Sequence, residues 1–153
     1  MKRSAVRLLV GLIAGMAAAV PARSEPSLDA VVRVMAVVPA AARTAATLGT
    51  EREGNGIVID REGHILTIGY LILEASRIEV RAAGGRTYPA RFVGYDHATG
   101  FGILRTAPPI PDVDPLAIGD SGPVAVGDDV AILTAGEVAG SPAQVLSRKE
   151  FVG

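Results

Sequence analysis

The sequence predicts an all-β protein built around an antiparallel barrel, and three observations carry that prediction. Glycine and proline together supply 28 of 153 residues, about 18% against a usual ~12%, which favours many turns over long helices. Short β-rich runs recur along the chain, each closed by turn chemistry. Where a run is long enough to show a period, as in Ile78-Glu79-Val80-Arg81, apolar and charged residues alternate as in a half-buried strand.

Taken in order, the chain opens on a targeting pattern. Lys2, Arg3 and Arg7 form a positive region, Leu8 to Val20 is apolar, and small residues follow. Thirteen helical residues span only ~20 Å, short of the ~30 Å hydrocarbon core of a bilayer. Residues 1–24 are therefore expected to be a signal peptide, cut after Ala22 or Ser24, and to send the body to an exported compartment, the periplasm. A membrane contact is expected only through this segment, if it stays uncleaved. The first barrel is assigned to residues 29–106. Val31–Val38 reads as a strand stopped by Pro39, which has no N–H to give a ladder. Ala40–Leu48 is compatible with a short helix or a loop. Ile57–Ile59 and Ile65–Ile68 flank the turn Asp60-Arg61-Glu62-Gly63, with Gly54 and Gly56 opening the first run. Ile78–Arg81 and Thr87–Tyr95 pair through the turn Ala83-Gly84-Gly85-Arg86, and Pro89 and Gly94 suggest a bulge or an edge. Phe101–Arg105 completes the set. Residues 107–115 carry four prolines and form a stiff linker. Residues 116–153 are assigned to the start of a second barrel, with strands at Leu116–Ile118, Val130–Ala135 and Gln144–Leu146 and a turn across Gly119–Gly127.

Composition excludes several function classes. The chain has no Cys, so thiol catalysis, disulfides and thiolate metal sites are ruled out. A formal net charge of −1 and arginines scattered along the chain argue against nucleic acid and for a solvated surface. With no Trp and 4% aromatics, stacking platforms for bases or sugars are not expected. The two histidines lie far apart among scattered carboxylates, no stretch has the spacing of a phosphate loop, and no cofactor or metal is expected. His64 is expected as an exposed turn residue, and Glu51 and Glu53 as a solvated face.

The order of motifs resembles the trypsin-like serine peptidases of the HtrA/DegP type. Gly54-Asn55-Gly56-Ile57-Val58-Ile59-Asp60 is similar to that family's Gly-Ser-Gly strand opening, and Gly63-His64-Ile65-Leu66-Thr67 to the run that leads to its Asn-x-His. Gly85–Ala90 resembles the hairpin that follows, and Val93-Gly94-Tyr95-Asp96 the approach to its catalytic aspartate. Leu116–Ser121 and Val126–Ile132 resemble the opening of its second barrel. The order and spacing over residues 48–140, more than any one motif, imply the chymotrypsin-like double-barrel fold, with the first barrel complete and the second only begun.

The same resemblance places the catalytic positions, and the residues there depart from the pattern. Counting from Thr67, the family's histidine falls on Tyr70; counting from Asp96, its triad aspartate falls on Gly100. The chemistry needs a base near neutral pKa and an acid that holds the base in the right tautomer. A tyrosine of pKa about 10 is only ~0.1% ionised at pH 7, and glycine has no side chain to orient anything. Losing triad members costs about 10⁴–10⁶ in rate. Gly119-Asp120-Ser121-Gly122-Pro123 looks like a nucleophile segment, but it lacks one glycine and fits the turn at the opening of the second barrel. Ser121 is thus expected as a turn residue capped by Asp120. His97, beside Asp96, offers a relocated acid–base pair, although adjacent loop residues usually point apart.

The nucleophile segment is expected beyond Gly153, which makes the chain a fragment of a longer protein or one completed by a partner chain, with residues after 140 lacking a stable fold of their own. The expected function is that of an exported peptidase homologue, catalytically inactive as written, that binds extended or unfolded polypeptide segments. The first alternative is a fragment of an active periplasmic serine endopeptidase in protein quality control, with its base recruited from elsewhere. The second is an unrelated small secreted β-barrel that mediates interactions.

Overall fold

The structure is a computed structural model that describes residues 28–137 and 139–149; the expected signal segment lies outside the described residues. Six strands close into an antiparallel barrel in the order β1-β2-β3-β6-β5-β4: β1 Val31–Val37, β2 Glu51–Val58, β3 His64–Ile68, β4 Arg77–Arg81, β5 Thr87–Tyr95 and β6 Phe101–Thr106. A short helix, α1 Ala45–Leu48, joins β1 to β2, and one 3₁₀ turn, Gly69–Leu71, follows β3. A separate two-stranded sheet is formed by β7 Asp129–Ile132 and β8 Ser141–Gln144. Among the described residues no helix is long and apolar enough to cross a membrane.

Period-two alternation builds the barrel interior. Val32, Val34 and Ala36 of β1 point inward with Ile65 of β3, Ile78 and Val80 of β4 and Leu104 of β6, all buried. Closure of six strands leaves a narrow lumen, and two glycines in β2 make room in it. A Cβ on Gly56 would lie 2.6 Å from Ile65 Cγ2 and 2.8 Å from Val34 Cγ2. A Cβ on Gly54 would lie 2.4 Å from Leu71 Cδ1, so this glycine seats the leucine of the 3₁₀ turn in the barrel mouth. The Gly-x-Gly of the sequence is thus a packing device. β5 bulges between Phe92 and Gly94. Pro89 sits opposite Glu79 of β4, and its carbonyl accepts the Ala107 N–H, just past the end of β6. Its nitrogen faces that same side, so the missing N–H costs the ladder nothing.

Four expectations need correction. Leu116–Ile118 is not a strand; the Leu116 N–H donates to the Val58 carbonyl at 3.0 Å, and the Leu116 side chain packs on the barrel core with Ile110 and Val113. The proline-rich linker therefore lies against the barrel. The chain beyond 140 forms β8, which pairs with β7 from Ser141↔Ile132 to Gln144↔Asp129. Arg52 is buried, at 6% exposure, where a solvated surface was expected for arginine. His64 is the half-buried first residue of β3 rather than an exposed turn residue.

Candidate active site

The site is built at the end of β3, where the strand turns into Gly69–Leu71. Thr67 is buried, and its hydroxyl donates to the Asn55 carbonyl at 2.7 Å, which fixes the end of the strand against β2. Ile68 still pairs with Phe101 of β6, and the chain leaves the ladder at Gly69. Gly69 donates its N–H to the Gly100 carbonyl at 2.8 Å, and this one bond sets the Tyr70 turn beside the loop that carries Gly100. Tyr70 follows Gly69 directly, with its residue 49% exposed. Gly100 takes φ +76°, a left-handed conformation that suits glycine, and its N–H closes the loop on the Asp96 carbonyl at 2.8 Å. A Cβ on Gly69 would lie 2.0 Å from Tyr95 Cε2, so the Tyr95 ring rests directly on the backbone before Tyr70.

The other sequence candidates are placed as follows. The His97 ring meets Tyr95 edge-on, with centroids 4.5 Å apart. The Asp96 carboxylate is spent on its own turn: Oδ1 accepts the Ala98 N–H at 3.0 Å and Oδ2 the Thr99 hydroxyl at 2.7 Å. The Thr99 hydroxyl, then the Ala98 N–H, hold this carboxyl below the usual range. His97 therefore has no orienting acid in Asp96. Ser121 lies in an exposed turn, where Asp120 Oδ1 accepts the Gly122 N–H at 2.8 Å and the Ser121 carbonyl accepts the Val124 N–H.

Two groupings escaped sequence reasoning. The first is the support under Tyr70. Arg52 donates from Nη1 to the carbonyls of Tyr70 (2.7 Å) and Leu73 (3.1 Å), from Nε to Gly49, and from Nη2 to the Thr44 hydroxyl (2.7 Å). That hydroxyl donates in turn to Glu74 Oε2 at 2.6 Å, and Glu74 also accepts the Thr44 and Arg43 N–H groups. The Thr44 hydroxyl and N–H are the main reason the Glu74 carboxyl is held below its ordinary range. Strand parity was the available signal, because Arg52 shares its inward side with Gly54, Gly56 and Val58. The second is a cluster in the β2–β3 hairpin, where Asp60 Oδ2 meets His64 Nδ1 at 2.6 Å and Oδ1 accepts the Glu62 and His64 N–H groups. Desolvation pushes the Asp60 carboxyl up, but the His64 N–H, its ring and the Glu62 N–H together outweigh this and hold it low. The ligand atoms of Asp60, Glu62 and His64 lie within 4.8 Å of one another, closer than the spacing of the histidines suggested.

Beside the Tyr70 turn runs an apolar cleft of about 400 Å³. The barrel contributes Ile57, Leu66, Ile68 and Phe101, and the second segment contributes Leu116 and Leu133. Ile68 and Phe101 flank Gly69 and Gly100 in sequence, so the degenerate positions sit at the edge of a cleft between barrel and second sheet.

A closed six-stranded antiparallel barrel followed by a small second sheet is consistent with the chymotrypsin-like fold of a peptidase scaffold. The comparisons agree: residues 54–152 match the trypsin-like peptidase domain family, and the chain belongs to that family. It is 35% identical over 68 residues to the chloroplastic Protease Do-like 1 of Arabidopsis thaliana, a match covering 44% of this chain and 16% of that protein. Its fold is similar to that of the Rv3671c protease from M. tuberculosis in its active form, with a TM-score of 0.58, 22% identity, and coverage of 76% of this chain and 48% of that one. An HtrA-type protease solved with a tripeptide gives a TM-score of 0.58 and 20% identity, covering 77% of this chain and 36% of that one. The chain thus spans less than half the length of each of these relatives. It is a trypsin-like peptidase domain, and an unrelated small barrel is excluded.

Proposed function

We propose that this domain keeps the peptidase scaffold without its hydrolytic chemistry and holds extended polypeptide segments in an exported compartment. The observation that carries the proposal is the Gly69 N–H to Gly100 carbonyl bond of 2.8 Å. On the reading that Tyr70 and Gly100 stand where the family carries its base and acid, this bond supports the proposal, because one position holds a phenol and the other no side chain at all. A phenol is a poor stand-in for an imidazole as general base, and nothing at Gly100 would orient a base if one were supplied. The apolar rim of Ile68 and Phe101, 45% and 50% exposed, supports binding of polypeptide, because it offers side-chain contact area beside the site. Export is supported by Lys2, Arg3 and Arg7 ahead of an apolar run.

Casein hydrolysis by the purified chain tests the first part. Turnover at background is expected, and activity lost on Ser121→Ala would sink the proposal. Fluorescence anisotropy with labelled unfolded casein tests the second; saturable binding weakened by Phe101→Asp is expected. N-terminal sequencing of periplasmic material should begin at Arg23 or Glu25. The relocated-base alternative predicts covalent labelling of a serine by a fluorophosphonate, and the turn bonds of Asp96 and Ser121 weigh against it.

A further inference from the structure

Arg52 is a cation buried inside a barrel mouth, and its nitrogens meet only neutral oxygens. Burying a guanidinium is expensive unless its donors are met, and here four bonds meet them. The bonds are not local to β2: they reach α1 through Thr44, the α1–β2 connection through Gly49, and the two ends of the Tyr70 turn through the carbonyls of Tyr70 and Leu73. Glu74 closes the network from the other side. It sits at φ +61°, a left-handed conformation uncommon for a non-glycine residue, while its carboxylate takes the Thr44 hydroxyl and the N–H groups of Arg43 and Thr44. Packing and backbone bonds also hold this stretch, since Leu71 and Ile72 are buried in the core, Ile72 and Leu73 donate to the Gly69 carbonyl, and Gly69 donates to Gly100. The Arg52 network is what links it to α1.

We propose that Arg52 is a positioning residue that sets the backbone of the Tyr70 turn and, through the Thr44 hydroxyl and Glu74, ties that turn to the α1 segment so that the two open and close together. The inference goes beyond the proposed function, because it concerns the backbone of the turn and holds whether or not the cleft takes polypeptide. The Thr44 hydroxyl is the joint, since it accepts from Arg52 and donates to Glu74 with one oxygen. Removing it disconnects Arg52 from Glu74 while leaving both charges in place.

Amide hydrogen exchange of the full chain, read residue by residue by NMR, tests this. In Thr44→Val, the amides of Ile72 and Leu73 in the turn and of Leu48 and Gly49 in α1 should exchange at least tenfold faster, while Val34 and Leu104 in the barrel keep their rates. Thr44→Ser, which retains the hydroxyl, should restore both sets together. Arg52→Met, which keeps the bulk and removes the donors, should release the same amides. The inference is overturned if Thr44→Val frees α1 and leaves the turn unchanged, if barrel and turn amides accelerate equally, or if Thr44→Ser fails to restore the turn. Should Arg52→Met not fold, the Thr44 pair alone decides. Binding of labelled casein is a separate readout, so loss of the binding reading leaves the exchange result standing.

Discussion

The barrel of residues 31–106 and the segment from 116 to 149 are both written in short β-rich runs with Gly and Pro between them, yet they reach different ends. In the barrel every strand has two neighbours, and the inward side chains of six strands share one interior. In the second segment, among the described residues, β7 and β8 pair only with each other, and β7 is exposed along its whole length. Closure makes the difference. A closed sheet has no free edge and buries one face of every strand, whereas two strands alone bury little and are marginal in water. What holds the small sheet is the neighbouring barrel: Asn55 Oδ1 accepts the Ala135 N–H at 3.2 Å, Arg33 Nη2 donates to the Ala135 carbonyl at 3.2 Å, and Ala135 itself is buried.

The largest effect should come from emptying the shared interior. Ile65 is fully buried between Val34, Gly56 and Leu104. Ile65→Ala is expected to cost about 2–5 kcal/mol in a denaturant melt followed by far-UV circular dichroism. A loss below 1 kcal/mol would mean that the barrel is not the cooperative core. Overfilling the same place should cost somewhat less. Gly56→Val puts methyls where Ile65 and Val34 already sit, and ~1–3 kcal/mol is expected by the same melt.

The legibility of the sequence follows the same division. In the barrel, alternation and turn residues located β1, β4, β5 and β6 to within a residue or so at each end, because each strand has a face to bury and a turn to close it. In the second segment, Leu116–Ile118 has the composition of a strand but no neighbour to pair with, and it packs on the barrel as an extended strap. The site was legible in the same uneven way. Spacing from Thr67 and Asp96 singled out Tyr70 and Gly100, and the structure bonds Gly69, next to Tyr70, to Gly100. Arg52 stayed hidden because charge alone predicts a solvated side chain, and the carbonyls of Tyr70 and Leu73 that help satisfy it come from residues 18 and 21 positions away. Glu74 is exposed, but its partners Thr44 and Arg43 lie 30 and 31 positions away. Asp60, Glu62 and His64 meet only because the hairpin folds them together.

Acid should sharpen the contrast within the barrel itself. The Thr44 hydroxyl and N–H hold the Glu74 carboxyl low, so its contribution is full above the ordinary carboxylate range and is lost as the pH falls through the depressed folded value. Exchange in the Tyr70 turn should therefore accelerate on acidification, relative to barrel amides at the same pH and after correction for intrinsic rates. Glu74→Gln should remove most of that pH dependence. A turn that stays closed once Glu74 is protonated would show that Glu74 is not what holds it.

The smallest effect should lie in β7, and it tests the comparison from the other side. Ile132 is 58% exposed and pairs only with Ser141 of β8. Replacing it with serine removes a side chain that mostly faces water, and surface changes of this kind stay within about 0.5 kcal/mol. The denaturation midpoint should not move, while the amides of the largely exposed β7 and β8 should exchange faster than in the unsubstituted chain. Asn55→Ala should do the same by cutting the tie to Ala135. A midpoint that dropped by more than about 1 kcal/mol in Ile132→Ser would require that residue to be covered in solution, because no transfer of so exposed a side chain costs that much. The small sheet would then count as part of the cooperative unit, and its contrast with the barrel would be one of strand number alone.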